Sequence, residues 1–488
     1  MKINRRKFLK TVGIAGAGLA GSGMMPKTGN AKTLTPFYGS HKQKFNMHGY
    51  SAPKLETVRM GLIGIGSRGS GTAVRMASID GVEIKALCDV HSDRVNSTIE
   101  RIQKEFPNRP RPENYSGSED SWKRLCERED IDFIYTATPW PMHAPIAMYA
   151  MEHGKHVYTE LPVGVTVEEC WKVVETSERT RQHCFMGCGS CHDGMAAVVL
   201  NMARQGYFGD LIHGEGHYIH DRVSNTESRW VRQEDNHNWF GFRPWRLREN
   251  ANRNGNLYPA HGLGPVAQIM DLNYGDRMDY MVSISSNDFT MGKKMKELAS
   301  SVDDFYKAYV GIDFRGNINT TIIRTHKGRT IMLQHDVSSP RPGYRFDLIS
   351  GNKGIYSSGG HGWPAGIATS DEGWFPEDKL NALVEEYTPE ITKKFNEKRK
   401  QAQSHGSRGY ERVTAADWRL IDCLRNGLPF EMDVYDAALW SVITPLSEWS
   451  VAHEGAPVKV PDFTNGAWKT NKWGMDINIH EGGTTDLV

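Results

Sequence analysis

Gly64-Ile65-Gly66-Ser67-Arg68-Gly69 is a G-x-G-x-x-G run. It falls where an apolar stretch, Val58 to Ile65, gives way to a helix-like one, Gly69 to Ser78. That strand–turn–helix context turns a weak motif into a dinucleotide site. Gly64 permits the tight turn, Gly66 lets the backbone approach a pyrophosphate at the helix N-terminus, and Gly69 allows close packing of helix on strand. Asp89 ends a second apolar stretch, Val82 to Val90, twenty residues after Gly69. A carboxylate there accepts hydrogen bonds from both ribose hydroxyls and repels a 2′-phosphate, which predicts NAD rather than NADP. Two more segments, Thr138-Pro139-Trp140-Pro141-Met142-His143 and Tyr158-Thr159-Glu160-Leu161-Pro162, follow later strands and so fall at the sheet edge where ligands bind.

The elements that must position these residues alternate. Helical spacing runs through Val95, Ile99, Ile102 and Phe106; strands are predicted at Ile131 to Thr138 and His156 to Thr159, helices at Ala144 to His153 and Val167 to Arg181. This pattern predicts a doubly wound parallel sheet. Past residue 190 a helix, Met195 to Gln205, leads into strand-like runs at Asp210–His220, Arg277–Ser286, Ala308–Phe314, Thr320–Thr325 and Thr330–Val337, with Lys327-Gly328 as a hairpin turn. Residues 222–256 and 359–410 read as irregular, the former as a lid or binding loop. Helices return at Ala415 to Arg425 and Ala437 to His453. The expected fold is α/β: an N-terminal Rossmann domain with a doubly wound parallel sheet over residues 56–185, then a C-terminal substrate-binding α/β domain with an open, mostly antiparallel sheet over residues 186–488.

The 488 residues carry a formal net charge of +1, which points to neither nucleic acid nor an anionic membrane as partner. Thirteen Trp and 18 Tyr suit either core packing or sugar stacking. Seven cysteines without regular spacing argue against a disulfide framework and for folding in a reducing compartment. Cys184, Cys188 and Cys191 have the C-x₃-C-x₂-C spacing of iron–sulfur sites, but they follow a nucleotide-binding domain, so buried thiols are expected instead. No H-E-x-x-H spacing occurs, and no metal is predicted. Asn4-Arg5-Arg6-Lys7-Phe8-Leu9-Lys10, a weakly apolar stretch and a small-residue site ending at Ala31 resemble a twin-arginine export signal over residues 1–31, with a linker over 32–55. That route carries folded, cofactor-loaded proteins, which reconciles free thiols with a periplasmic or secreted destination.

The nucleotide motif and the segments after it resemble the Gfo/Idh/MocA oxidoreductase superfamily, except that Leu161 stands where the catalytic lysine of its Glu-Lys-Pro motif would be. A narrower resemblance is to glycoside hydrolase family 109. It rests on Tyr135 to His143, Tyr158-Thr159-Glu160, the run Glu249 to Gly262, and Ser338-Ser339-Pro340-Arg341-Pro342, and it covers about residues 55–470. Members of that family act as NAD-dependent α-N-acetylgalactosaminidases. The resemblance implies NAD contacts from Ser67, Arg68, Asp89, Trp140, His143, Glu160 and Leu161, and sugar contacts from Tyr218, Arg246, Tyr258 and His261. It departs at Gly189, where the family has an NAD-contacting Asn, and at Gly343, where a tyrosine is expected and Tyr344 comes one residue later. The loop before Trp245 is also lengthened.

The chemistry this implies restores its cofactor within each cycle, as an enzyme outside the cytoplasm requires. NAD⁺ takes hydride from sugar C3, a base removes the acidified C2 hydrogen, the C1 group is eliminated, water adds, and the hydride returns. Bases and a proton donor are needed, for which Tyr218, Tyr258 and His261 are the candidates, histidine being able to shuttle protons near neutral pH. Arg246 would clamp hydroxyls or the acetamide carbonyl. Plainer readings stand beside these: a core histidine, sheet packing for Tyr218, a loop salt bridge for Arg246. An exported sugar oxidoreductase with bound NAD is the alternative function. A GalNAc-containing glycan is the expected partner, and a homo-oligomer is left open.

Overall fold

The computed structural model describes residues 43–192, 194–223, 244–301, 304–343, 345, 347–360 and 363–488. The expected signal, the first part of the linker and Tyr344 lie outside the described residues.

Six strands, β1 (Val58–Ile63), β2 (Val82–Asp89), β3 (Glu113–Ser116), β4 (Phe133–Thr136), β5 (His156–Thr159) and β6 (Cys184–Met186), form a sheet in the order β3-β2-β1-β4-β5-β6. All its pairings are parallel. β1, β4, β5 and β6 are buried almost throughout because helices cover both faces, which is why they read as continuous apolar runs. The chain reverses its direction of sheet growth between β1 and β4, so a crevice opens beyond their carboxyl ends.

The second sheet has eight strands: β7 (Leu211–Ile219), β8 (Met278–Ser285), β9 (Ile318–Thr325), β10 (Thr330–Asp336), β11 (Asp347–Gly351), β12 (Ile355–Gly360), β13 (Trp363–Ala368) and β14 (Val458–Lys459). Their order is β13-β12-β11-β7-β10-β9-β8-β14, antiparallel except for the parallel pair β7 and β10. The Lys327-Gly328 turn closes β9 onto β10, with Gly328 N donating to Thr325 O at 3.0 Å.

Helix Val434–Ala452 ties the two sheets together. It is apolar nearly all round and N-capped by Asp433, which accepts from Tyr435 N and Asp436 N. Three of its serines reach different neighbours. Ser441 Oγ accepts from Val163 N after β5, Ser447 Oγ from Asn256 N, and Ser450 Oγ from Ser283 N in β8, at 2.9, 2.8 and 2.9 Å.

Four expectations are corrected. Residues 43–48, within the expected linker, pack on this helix: Met47 is buried, Gln43 and Met47 N donate to Tyr435 Oη, and His48 pairs with Asp433 at 2.9 Å. The strand expected at Ala308–Phe314 is absent; a 3₁₀ turn at Asp304–Tyr309 and Gly311 at φ +78° interrupt it. Within 222–256, Pro244–Asn252 is a helix, and residues 224–243 lie outside the described ones. Residues 359–410 contain β13 and helices Glu377–Tyr387 and Glu390–Ser404, whose few buried side chains concealed them.

Candidate active site

The nucleotide end is built by backbone. β1 runs into Gly64, at φ +87°, where a Cβ would lie 2.8 Å from the backbone of Ala137 and Thr138. A Cβ on Gly69 would overlap the Gly64 carbonyl. Both glycines are therefore forced by close approach of the loop to the helix and to the end of β4. Helix Ser67–Ala77 starts at Gly66 with no side-chain cap and no acidic residue in its first turn. Its amide donors and positive dipole end are left for an anion. Asp89, buried at the end of β2, accepts from Ile65 N at 2.8 Å and from His91 N at 3.0 Å. Arg94 Nη1 also lies 3.5 Å from Asp89 Oδ1, and the carboxylate lone pairs not engaged by these three donors remain for ribose hydroxyls. These residues fit a dinucleotide: the uncapped helix end faces the pyrophosphate position and the fixed carboxylate the ribose.

On the nicotinamide side, Glu160 accepts from Tyr135 Oη at 2.7 Å and pairs with Arg68 Nε at 3.4 Å. Leu161 is buried beside it and gives that wall an apolar side chain. His143 does not present a free nitrogen. Its Nδ1 lies 2.7 Å from Pro162 O and its Nε2 2.8 Å from Thr138 O, so the ring clasps the turns after β4 and β5. Burial holds its pKa below the usual histidine value against the pull of the two carbonyls. His143 thus shapes the nucleotide pocket through backbone.

The sugar end comes from the second sheet. Helix Ala260–Ile269 lies directly on β7, because a Cβ on Gly216 would strike the Gly262 backbone and one on Gly214 would stand 2.6 Å from Val266 Cγ1. This approach brings three rings together. Tyr218 on β7 stacks on His261 with centroids 5.2 Å apart and planes 13° apart. Tyr258 lies 4.8 Å from Tyr218 and 4.9 Å from His261. Trp140, from the nucleotide domain, stacks on Tyr258 at 5.7 Å. Arg246 sits over Trp140, Trp245 and Tyr258 at 5.3, 4.9 and 5.6 Å. Side chains from both ends of the site are therefore in contact.

Electrostatics separates the candidates. Burial raises the Tyr258 phenol, Arg246 and Arg68 oppose this, and Tyr218 and Glu160 add to it. His261 is driven well below the usual histidine range by burial and by Arg345, Arg68, His220 and Arg246. The expectation that His261 titrates near neutral pH is thereby corrected: a desolvated imidazole among guanidinium groups stays neutral. Its Nδ1 is buried with no hydrogen-bond partner among the described residues.

Several neighbours were not expected. Arg222 Nη2 donates to Tyr218 Oη at 3.4 Å, and Arg345 lies over the Tyr218 ring at 5.7 Å. His335 stands beside Tyr218 in the parallel register of β10 and β7, and its Nδ1 accepts from Leu257 N at 3.4 Å. His220 packs edge-on against Tyr218. Alternation along β7 was the only signal, since His335, Arg345 and Trp245 arrive from distant segments. Much of the run Glu249–Gly262 is scaffold. Arg253 pairs with Glu448 at 2.6 and 2.7 Å and donates to Val165 O, while Asn250 Oδ1 accepts from Arg315 Nε at 3.2 Å.

The fold and site define a protein with a Rossmann-like parallel sheet that fits a dinucleotide and a cluster of aromatic rings on a second, mostly antiparallel sheet. Residues 58–188 match the family model for the oxidoreductase family, NAD-binding Rossmann fold, and residues 192–470 match that for the glycosyl hydrolase 109 C-terminal domain. A glycosyl hydrolase family 109 protein of Shewanella pealeana is 40% identical over 97% of this chain and 98% of its own. An alpha-N-acetylgalactosaminidase of Shewanella oneidensis is 39% identical over 96% and 98%. The chain belongs to glycosyl hydrolase family 109, and is a glycoside hydrolase. Among solved structures, levoglucosan dehydrogenase in complex with NADH matches with a TM-score of 0.57 at 16% identity, over 83% of this chain and 100% of that one. Myo-inositol dehydrogenase from Lactobacillus casei, in complex with NAD(H) and myo-inositol, matches at 0.54 and 13%, over 84% and 99%. These two share the fold.

Proposed function

We propose that this enzyme hydrolyses α-N-acetylgalactosaminides, keeps NAD tightly bound and restores it within each turnover, and works outside the cytoplasm after twin-arginine export. The observation that carries the reading is that Trp140, from the nucleotide side, stacks on Tyr258, whose ring neighbours are the sugar-side Tyr218 and His261. The name of the Shewanella oneidensis relative supports the sugar; the basic Asn4–Lys10 segment supports export.

The nucleotide would be held by the Gly64–Gly69 loop, Asp89, Trp140 and Glu160, and would supply a reversible hydride acceptor for C3 of the sugar, which would acidify C2. Tyr258 acts as the base by its position between Trp140 of the nucleotide side and Tyr218 of the sugar side; burial raises its phenol, and Arg246 and Arg68 offset part of that rise. Tyr218 acts as the proton donor to the leaving oxygen: Arg222 donates to its Oη, which leaves the hydroxyl proton free to be given away. Neutral His261 fixes the Tyr218 ring by stacking and offers Nδ1 to a sugar hydroxyl. The aromatic wall of Trp140 and Trp245 excludes water from the reacting carbons.

The test is p-nitrophenyl α-N-acetylgalactosaminide in deuterated water without added NAD. Aryl release with deuterium at C2 is expected. Sugar oxidation without aryl release would instead mark a sugar oxidoreductase, and release without C2 exchange would overturn the mechanism. For export, replacing both Arg5 and Arg6 by Lys is expected to retain the protein in the cytoplasm on cell fractionation.

A further inference from the structure

The turn Cys188-Gly189-Ser190-Cys191, between β6 and helix Gly194–Arg204, takes no part in the mechanism above, yet lies directly beneath it. Both sulfurs crowd one point over the catalytic helix: a Cβ on Gly264 would stand 2.6 Å from Cys188 Sγ and 3.0 Å from Cys191 Sγ. Cys188 Sγ donates to Ala260 O at 3.3 Å and contacts Ser190 Oγ at 3.2 Å. Ser190 Oγ donates to His261 O at 3.4 Å. The dithiol turn thus grips the backbone of the helical turn that carries His261. Burial pushes the thiols of Cys88, Cys126, Cys170, Cys184 and Cys423 up. Cys188 is drawn down instead, first by its hydrogen bond with Cys191 and then, against burial, by Ser190 and Arg345.

We propose that Cys188 and Cys191 are a redox-modification site, which peroxide closes into a disulfide, and that closure loosens the segment Tyr258–His261. The Cys188 thiolate attacks one peroxide oxygen. The O–O bond breaks, one oxygen leaves as water and the sulfur becomes a sulfenic acid. Cys191 sulfur then displaces the remaining hydroxyl, which leaves as a second water with the Cys191 proton. Two S–H bonds are lost, one S–S bond forms, and two electrons pass from sulfur to peroxide. The sulfurs close to about 2.05 Å. Ala260 O loses its donor, and room opens above Gly264.

The test is stepwise oxidation of the full-length protein with hydrogen peroxide, followed by alkylation, peptide mapping and hydrogen exchange. The 188–191 peptide is expected to lose two hydrogens before the other five cysteines change, and amide exchange over 258–264 to rise at least about 5-fold. Dithiothreitol is expected to reverse both. The Cys188→Ser, Cys191→Ser double variant is expected to show no exchange response to the same dose. Prior oxidation of another cysteine, or closure with unaltered exchange over 258–264, would overturn the proposal. Because neither readout uses sugar cleavage, failure here is distinct from failure of the proposed function. Should the double variant fold poorly, the map and exchange of the unaltered chain decide.

Discussion

The imidazole of His261 lies parallel to the phenol of Tyr218, 5.2 Å away, although one residue sits on a strand and the other in the first turn of a helix. Burial and the cationic neighbours of His261 keep it uncharged. In the proposed mechanism the tyrosines therefore carry the protons and the histidine orients.

Tyr258→Phe removes the proposed base while keeping its stack on Trp140. Turnover of the aryl glycoside is expected to fall by about 10²–10⁴-fold. The NAD recovered on denaturing the protein should be unchanged; loss of NAD in parallel with activity would assign Tyr258 to cofactor binding instead.

Asp89→Asn keeps one acceptor oxygen where two are used, for Ile65 N and His91 N. One backbone donor is left unpaired and the charge is gone. Retention of NAD through gel filtration is expected to fall, by about 1.5–3 kcal/mol of binding free energy for a charge-assisted bond, as calorimetric titration of the stripped protein would measure.

Acid should destabilise the fold in a window set by buried histidines. Burial lowers His156 to about 4, His183 to about 3 and His220 to about 4, from an ordinary 6.5. Between pH 6.5 and about 4 the unfolded chain binds protons that the folded one refuses. Stability therefore falls as pH falls through that range, by up to about 1.4 kcal/mol per pH unit per histidine. His183→Phe, which keeps the stack on Phe430, is expected to narrow the gap between melting temperatures at pH 7 and pH 5.

Arg253→Ala strands Glu448 and frees Val165 O. A loss of about 2–3 kcal/mol is expected, less than for a fully buried pair because Glu448 keeps some solvent contact. Urea titration measures it, and Arg253→Ala combined with Glu448→Leu should recover part of it.

The nucleotide half was legible because its signals are contiguous: strand, glycines, helix and Asp89 fall within Val58–Asp89. β3 escaped notice since its residues are half exposed, and β6 because it is three residues long. In the second domain, Tyr218, Tyr258 and His261 were reached through a family resemblance, and the geometry joining them depends on helix Ala260–Ile269 packing on β7, a contact distant in sequence that no local pattern encodes. Arg222, Arg345 and His335 stayed hidden for the same reason. The polar helices at 377–404 present so few apolar positions that periodicity had little to register.

At Gly216 and Gly262 strand and helix meet main chain to main chain, with no side chain between them to be lengthened or trimmed. The spacing between the strand that carries Tyr218 and the helix that carries His261 is therefore not adjustable by ordinary substitution at these two positions. A relative that evolves toward a bulkier sugar has to recruit that room from the surrounding loops, leaving the reacting atoms on an unchanged anvil.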